Sequence, residues 1–160
     1  MTSERVTKLV EKLERGITKS VEFFEALDQN RWENLISDED EAWTIRDLAV
    51  HFITSEGYLL RIAKGIASGG EGAPKKIDID KQNQDDLERF PRLTKSELLS
   101  RLKETRKETI EWVRELDETT LDREGRHPTL GMSNVETVVS SIYAHQLLHV
   151  REIDPKFKGK

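Results

Sequence analysis

Residues 133–153 read SNVETVVSSIYAHQLLHVREI, and the periodicity of this stretch decides the fold. Apolar side chains fall at Val135, Val138, Val139, Ile142, Leu148 and Ile153, spaced to form one stripe on a helix. Ser133-Asn134-Val135-Glu136 has the form of a capping box that opens the helix, and Pro155 lies just past its end. His145 and His149 sit inside the stripe. At roughly 100° per residue, the stripe is centred near the direction of His149, with His145 about 40° away.

The same reading applies upstream. A first helix, capped by Ser3, carries Val6, Leu9, Val10, Leu13, Ile17, Val21, Phe24 and Leu27 and ends near Asp28. Gly16 inside it costs about 1 kcal/mol against Ala, which marks a close contact. Thr44-Ile45-Arg46-Asp47, a capping box with Asp in the last place, opens a second helix over about 45–67, stopped by Gly69-Gly70. Thr94-Lys95-Ser96-Glu97 opens a third, with Leu98, Leu99, Leu102, Thr105, Thr109, Trp112, Val113 and Leu116. Four amphipathic helices predict an all-α four-helix bundle. The connection 69–93 is polar and irregular, with a short helical turn expected at 84–90. Its 24 or so residues can span up to ~80 Å, against roughly 33 Å for a helix of 22 residues. It can therefore cross the bundle, so the second and third helices need not form a hairpin. A second loop spans about 117–132, and no stretch reads as a strand.

The chain has 160 residues, enough for one domain with a core over about 3–153. It contains no cysteine, which removes disulfides, zinc–thiolate sites and thiol nucleophiles of its own. A net charge of −5 with both signs interspersed argues against nucleic acid as a partner. The Lys156–Lys158–Lys160 end reads as a solvated terminus. No apolar run approaches a membrane span and no signal peptide is evident, so a cytoplasmic protein is the expectation. Trp32, Trp43 and Trp112 read as core or cavity wall.

Chemistry concentrates in the histidines, of which there are four: His51, His127, His145 and His149. Two imidazoles at i, i+4 on an apolar stripe need partners for their ring nitrogens, and a metal supplies one to each. His51, at the edge of the second helix's apolar face, completes a three-His set with coordination positions left open, as in catalytic sites. The competing reading makes all three hydrogen-bonded core residues. His127 reads as a loop residue bonded to backbone. His145-Gln146-Leu147-Leu148-His149 is not a zinc-protease helix, because Gln146 stands where the general-base Glu belongs and an amide cannot take a proton from water. A di-iron centre fails as well, since Ile142 and Gln146 occupy the positions three before each histidine.

Trp43-Thr44-Ile45-Arg46-Asp47-Leu48-Ala49-Val50-His51, His145-x-x-x-His149 with Val150-Arg151-Glu152-Ile153, the loop His127–Ser133 and Asp80-Lys81-Gln82-Asn83 together resemble the DinB/YfiT-like superfamily. The resemblance spans roughly residues 5–153. It implies a bundle of up-down-down-up topology and a divalent metal, typically nickel or zinc, held by His51, His145 and His149. It also implies frequent homodimers, and activities that include thiol-dependent S-transfer. Any thiol would be a low-molecular-weight cosubstrate, since the chain has none. Ser55, Ser141 and Glu152 are candidates to support the ligands, with solvated helix residues as the alternative. Asp80 and Asn83 are weaker candidates for the cavity mouth, where turn chemistry competes. The resulting expectation is a metal-dependent small-molecule enzyme, a thiol transferase or a hydrolase. The alternatives are a non-catalytic metal-binding or stress-response bundle and a dimeric interaction module.

Overall fold

Each long helix starts where a side chain takes up a free backbone N–H. In the computed structural model, which describes residues 2–36 and 43–154, the elements are α1 (Glu4–Glu25), α2 (Gln29–Trp32), α3 (Ile45–Ala67), α4 (Ile79–Arg89), α5 (Lys95–Arg114), α6 (Glu118–Leu121), β1 (Glu124–His127), β2 (Gly131–Asn134) and α7 (Val135–Ile153). Pro155 and Lys156, Lys158 and Lys160 lie outside the described residues. Ser3 accepts from Val6 N at 3.1 Å. Thr44 and Asp47 form a reciprocal box at 3.0 Å in both directions, and Thr94 and Glu97 form another. The third box is not formed, and the cap lies one residue on from the sequence reading. Asn134, not Ser133, caps α7 and accepts from Thr137 N at 2.8 Å. Ser133 is still paired in β2 and donates to Gly131 O instead.

Side-chain pairs across the bundle give its topology. Arg5 near the start of α1 bonds Glu136 at the start of α7, so these two helices run parallel. Lys95 at the start of α5 reaches Leu27 O just past the end of α1, so those two run antiparallel. Arg46 at the start of α3 reaches Leu93 O just before α5, making them parallel. His51 early in α3 meets His145 late in α7, making those antiparallel. The result is up-down-down-up: α1 and α3 each pack on both α5 and α7.

This topology requires the long connection from α3 to α5 to travel the length of the bundle. It is more ordered than expected. The polar run after Asp78 forms the 11-residue helix α4, capped by Asp78 onto Lys81 N, rather than a short turn. Only Leu87, Phe90 and Leu93 in this segment pack onto the core, too few for a visible stripe. Upstream, Gly72 is stitched beside β1: Arg126 N donates to Glu71 O and Ala73 N to Arg126 O, both at 2.7 Å. Gly72 has φ +89° and a Cβ there would lie 2.5 Å from Arg126 N and O, so only glycine fits.

The second loop also departs from expectation. It contains α6 and an antiparallel hairpin, Glu124↔Asn134 through His127↔Gly131. Its strands have four residues each and inward positions filled by Gly125 and His127, so no apolar alternation betrays them.

Two apolar clusters fill the bundle. One gathers Val6, Leu9, Leu13, Ile66, Val113, Val135 and Val138 at the end where α1 and α7 begin. The other gathers Phe23, Phe24, Trp32, Phe52, Leu98, Leu102 and Val150 at the end where α3 and α5 begin. Trp112 packs partly buried on the first cluster. Gly16 is the close contact that the sequence suggested: a Cβ there would sit 3.0 Å from Tyr143 Cβ.

Candidate metal centre

His51 lies two turns into α3, and antiparallel α7 sets His145 and His149 opposite it. His51 Nε2 is 3.1 Å from His145 Nε2, which is 3.1 Å from His149 Nε2. The rings meet edge to face, at interplanar angles of 79°, 87° and 87°. One potential ligand atom from each residue lies within 4.8 Å of the others. As hydrogen bonds these contacts are poorly served, because the one in-plane lone pair or proton of His145 Nε2 would face two neighbours. As a ligand set they fit. Nitrogens at roughly 2.0–2.1 Å from a shared divalent ion stand about 3 Å apart.

Electrostatics favour the same state. Burial, reinforced by the neighbouring histidines, pushes His51 down to about 3 and His145 down to about 4. Burial lowers His149 too, opposed by Glu152. His51 and His145 are therefore neutral at pH 7, with lone pairs available. Trp43 packs its ring 4.8 Å from that of His51. His51 Nδ1 is buried without a hydrogen-bond partner among the described residues.

The three rings form part of the wall of a cavity of about 680 Å³. Ser55, Tyr58 and Leu59 line it from α3, and Ile79, Gln82, Asn83 and Asp86 from α4. His127 to Leu130 contribute from the hairpin, and Ser140, Ser141, Ala144 and Leu148 from α7. Of the residues singled out in the sequence, Ser55, Ser141 and Asn83 thus reach the cavity. Asp80 does not; it borders a separate surface cleft with Lys75 and Lys76. The Ser55 hydroxyl donates to Phe52 O at 3.4 Å. Glu152 is exposed, and its carboxylate is 3.8 Å from His149 Nδ1, beyond hydrogen-bond reach. His127 is the last residue of β1 and not the loop residue expected, though its side chain does bond the backbone of the turn that follows. Its Nδ1 accepts from Thr129 N and Leu130 N at 3.0 Å each, which leaves the proton on Nε2 for Ser141 Oγ at 2.9 Å.

Sequence reasoning missed a polar layer directly behind the histidines. Arg106 Nε and Nη2 donate to Glu56 at 2.9 and 3.0 Å, and Arg106 Nη1 donates to Leu13 O. Gln146 accepts from Arg106 and donates to Glu56, and the Thr109 hydroxyl donates to Glu56 at 2.7 Å. Gln146 is thus committed to the interior and not to the ligand face. A signal existed: Arg106 falls in helical register with Leu102, Thr109 and Val113, and Glu56 with Phe52 and Leu59.

Fold and site together define a helical bundle protein with a three-His cluster on the wall of a cavity. The chain belongs to the DinB superfamily, which it matches over residues 12–153. Among curated proteins no sequence matches it. Solved structures that share its fold include those of two other proteins. YfiT from Bacillus subtilis, described as a probable metal-dependent hydrolase with an unusual four-helix bundle topology, is 19% identical with a TM-score of 0.75, over 98% of this chain and 87% of that one. The mycothiol-dependent maleylpyruvate isomerase is 11% identical with a TM-score of 0.75, over 93% of this chain. This chain spans only 60% of that enzyme's length. No helix among the described residues is long and apolar enough to cross a membrane.

Proposed function

We propose that the protein is a mononuclear metal-dependent enzyme acting on small molecules, with His51, His145 and His149 as the ligands. The carrying observation is the convergence of three ring nitrogens, 3.1 Å apart in two pairs, on the wall of a cavity. Zinc or nickel suits an all-imidazole set, and carboxylate-preferring magnesium or calcium does not. When bound, such an ion supplies the acidity that ionises a water or a thiol near neutral pH.

The chain's own residues do the rest. Trp43 packs a tilted ring against His51, and Phe52 packs tilted against His145 and His149. Burial keeps His51 and His145 unprotonated and ready to donate lone pairs. The cavity admits a substrate beside the ligands. Among the described residues no carboxylate joins the cluster, and Gln146 is tied to Arg106 and Glu56, which argues against a protease-type general base. Hydrolysis and transfer to a low-molecular-weight thiol are the two reactions this chemistry serves. The full reading adds a cytoplasmic location and the homodimer that the family resemblance implies.

The test is an activity screen of zinc- and nickel-loaded protein on electrophilic esters, amides and epoxides, with and without added thiols. Turnover that disappears in His51→Ala while the fold persists is the expected result. Metal bound at one equivalent with no turnover in either series would favour the non-catalytic alternative.

A further inference from the structure

Helix α4 buries no residue fully, yet it walls one side of the cavity. Ile79, Gln82, Asn83 and Asp86 line the space, and their spacing of i, i+3, i+4 and i+7 puts them on one face. The opposite face is held by its own pairs, Lys81 to Asp85 at 2.8 Å and Gln84 to Glu88 at 3.4 Å. α4 therefore offers the cavity two carboxamides and a carboxylate. From α3 the cavity is lined by His51, Ser55 and Tyr58, again on one face. Tyr58 stands two turns from His51, roughly 10 Å along the helix. Its hydroxyl is buried with no hydrogen-bond partner among the described residues. Burial also raises the pKa of this phenol, so it keeps its proton. Arg61 links the two walls. Its guanidinium lies 5.7 Å from the centre of the Tyr58 ring, and it acts electrostatically on Asp86, as does Arg89.

A buried hydroxyl without a partner is costly, so a ligand group that accepts from Tyr58 is favoured. Asp86 sets the complementary demand. Burial raises its pKa, while Arg61 and Arg89 oppose that and favour the carboxylate. A carboxylate only accepts, so the same ligand must also donate. A ketone or a carboxylate on the ligand leaves Asp86 unserved, and an ammonium gives the Tyr58 proton nowhere to go. Hydroxyls and carboxamides do both. Gln82 and Asn83 decide between them, because two carboxamides pair reciprocally, each donating and accepting. Leu59 and Ile79 in the same walls supply apolar surface for the remainder of the molecule. We propose that Tyr58, Gln82, Asn83 and Asp86 form a second subsite of the cavity, which holds an uncharged carboxamide of the small molecule whose other end reaches the metal centre. The catalytic meaning of this subsite rests on the metal-centre reading. Its hydrogen-bonding groups are in place with or without an ion.

Three probes of one shape test it. Benzamide donates and accepts, acetophenone only accepts, and benzoate accepts and carries a negative charge. Each is titrated into isotope-labelled protein, metal-free and zinc-loaded, beside Tyr58→Phe and Asp86→Leu. The side-chain amide signals of Gln82 and Asn83 in proton–nitrogen correlation spectra report the subsite. The ranking is read in metal-free protein, since zinc itself draws benzoate; the zinc-loaded samples show whether the same signals move when the ion is present. Benzamide is expected to shift them saturably and to bind about fivefold or more tighter than either of the other two. Tyr58→Phe should weaken benzamide and acetophenone alike, by about fivefold, because both accept from the hydroxyl. Asp86→Leu should bring benzamide down to the level of acetophenone, because the acceptor for its N–H is gone. Benzamide that leaves those signals unmoved, binds no tighter than benzoate, or is indifferent to Tyr58→Phe contradicts the subsite. So does a margin over acetophenone that survives Asp86→Leu. Metal content of the same samples separates the two claims. Protein that takes no metal but keeps the benzamide preference loses the metal-centre reading alone. Protein that takes metal but shows no such preference loses the subsite alone.

Discussion

Arg106 and Glu56 form a bidentate ion pair in the middle of the bundle, with side chains 1% and 0% exposed. The pair joins α5 to α3, and Gln146 and Leu13 O extend it to α7 and α1. Each charge is stable there only because the others are present. The layer also sits behind the ligands: Gln146 follows His145 directly and reaches Phe52 O, the carbonyl of the residue after His51, at 3.5 Å.

Breaking this pair from one side should cost about 3–5 kcal/mol of unfolding free energy, because it strands a buried charge. Arg106→Leu and Glu56→Leu are each expected to fall in that range. The double variant should be destabilised far less than the two losses combined. Urea unfolding of the four proteins measures the coupling, and additive losses would show that the pair is not a unit.

Glycines in α1 and α3 should respond oppositely to alanine. Gly16→Ala gains helix propensity but brings a backbone-anchored Cβ to 3.0 Å from Tyr143 Cβ, where neither helix can yield cheaply. Gly65 is exposed with nothing within 4 Å of a built Cβ. Thermal unfolding should show Gly65→Ala stabilised by about 0.5–1 kcal/mol and Gly16→Ala destabilised by about 1 kcal/mol or more.

The helices were legible because their stripes and capping pairs are local signals. Ser3, Thr44 and Thr94 each announce a start that the structure reproduces. The His145–His149 spacing announced two members of the cluster, and the place of His51 at the edge of its helix's apolar face, together with the resemblance, announced the third. The hairpin was not legible, because Gly125 and His127 fill its inward positions and its register depends on the turn held by His127. The length of α4 was hidden because the helix buries no residue fully and so shows no apolar stripe. The polar layer escaped because a charge in an apolar register reads as a flaw in the stripe until its partners on other helices are known. Gln146 illustrates this. Its sequence position excluded one mechanism, and only the fold shows what holds it.

Acid should destabilise the metal-free protein through the histidines. His51 and His145 titrate in the fold near 3 and 4, below their ordinary 6.5. Below pH 6.5 the unfolded chain takes up protons that the folded chain refuses. Stability is therefore fully present above about pH 6.5 and falls as pH drops toward the folded values, by up to about 1.4 kcal/mol per pH unit for each histidine. Urea unfolding at pH 7.5, 6.5 and 5.5 measures the slope. It should flatten in His51→Ala and His145→Ala. An unchanged slope in those variants would assign it to other groups.

The proposed centre needs three imidazoles to hold one metal ion. Inductively coupled plasma mass spectrometry on untagged protein, after incubation with zinc or nickel and removal of free ion, tests it most directly. About one equivalent per chain is expected in wild type and none in a folded His149→Ala variant. Wild type that stays empty, or a variant that keeps its metal, would contradict it and return His51, His145 and His149 to the core.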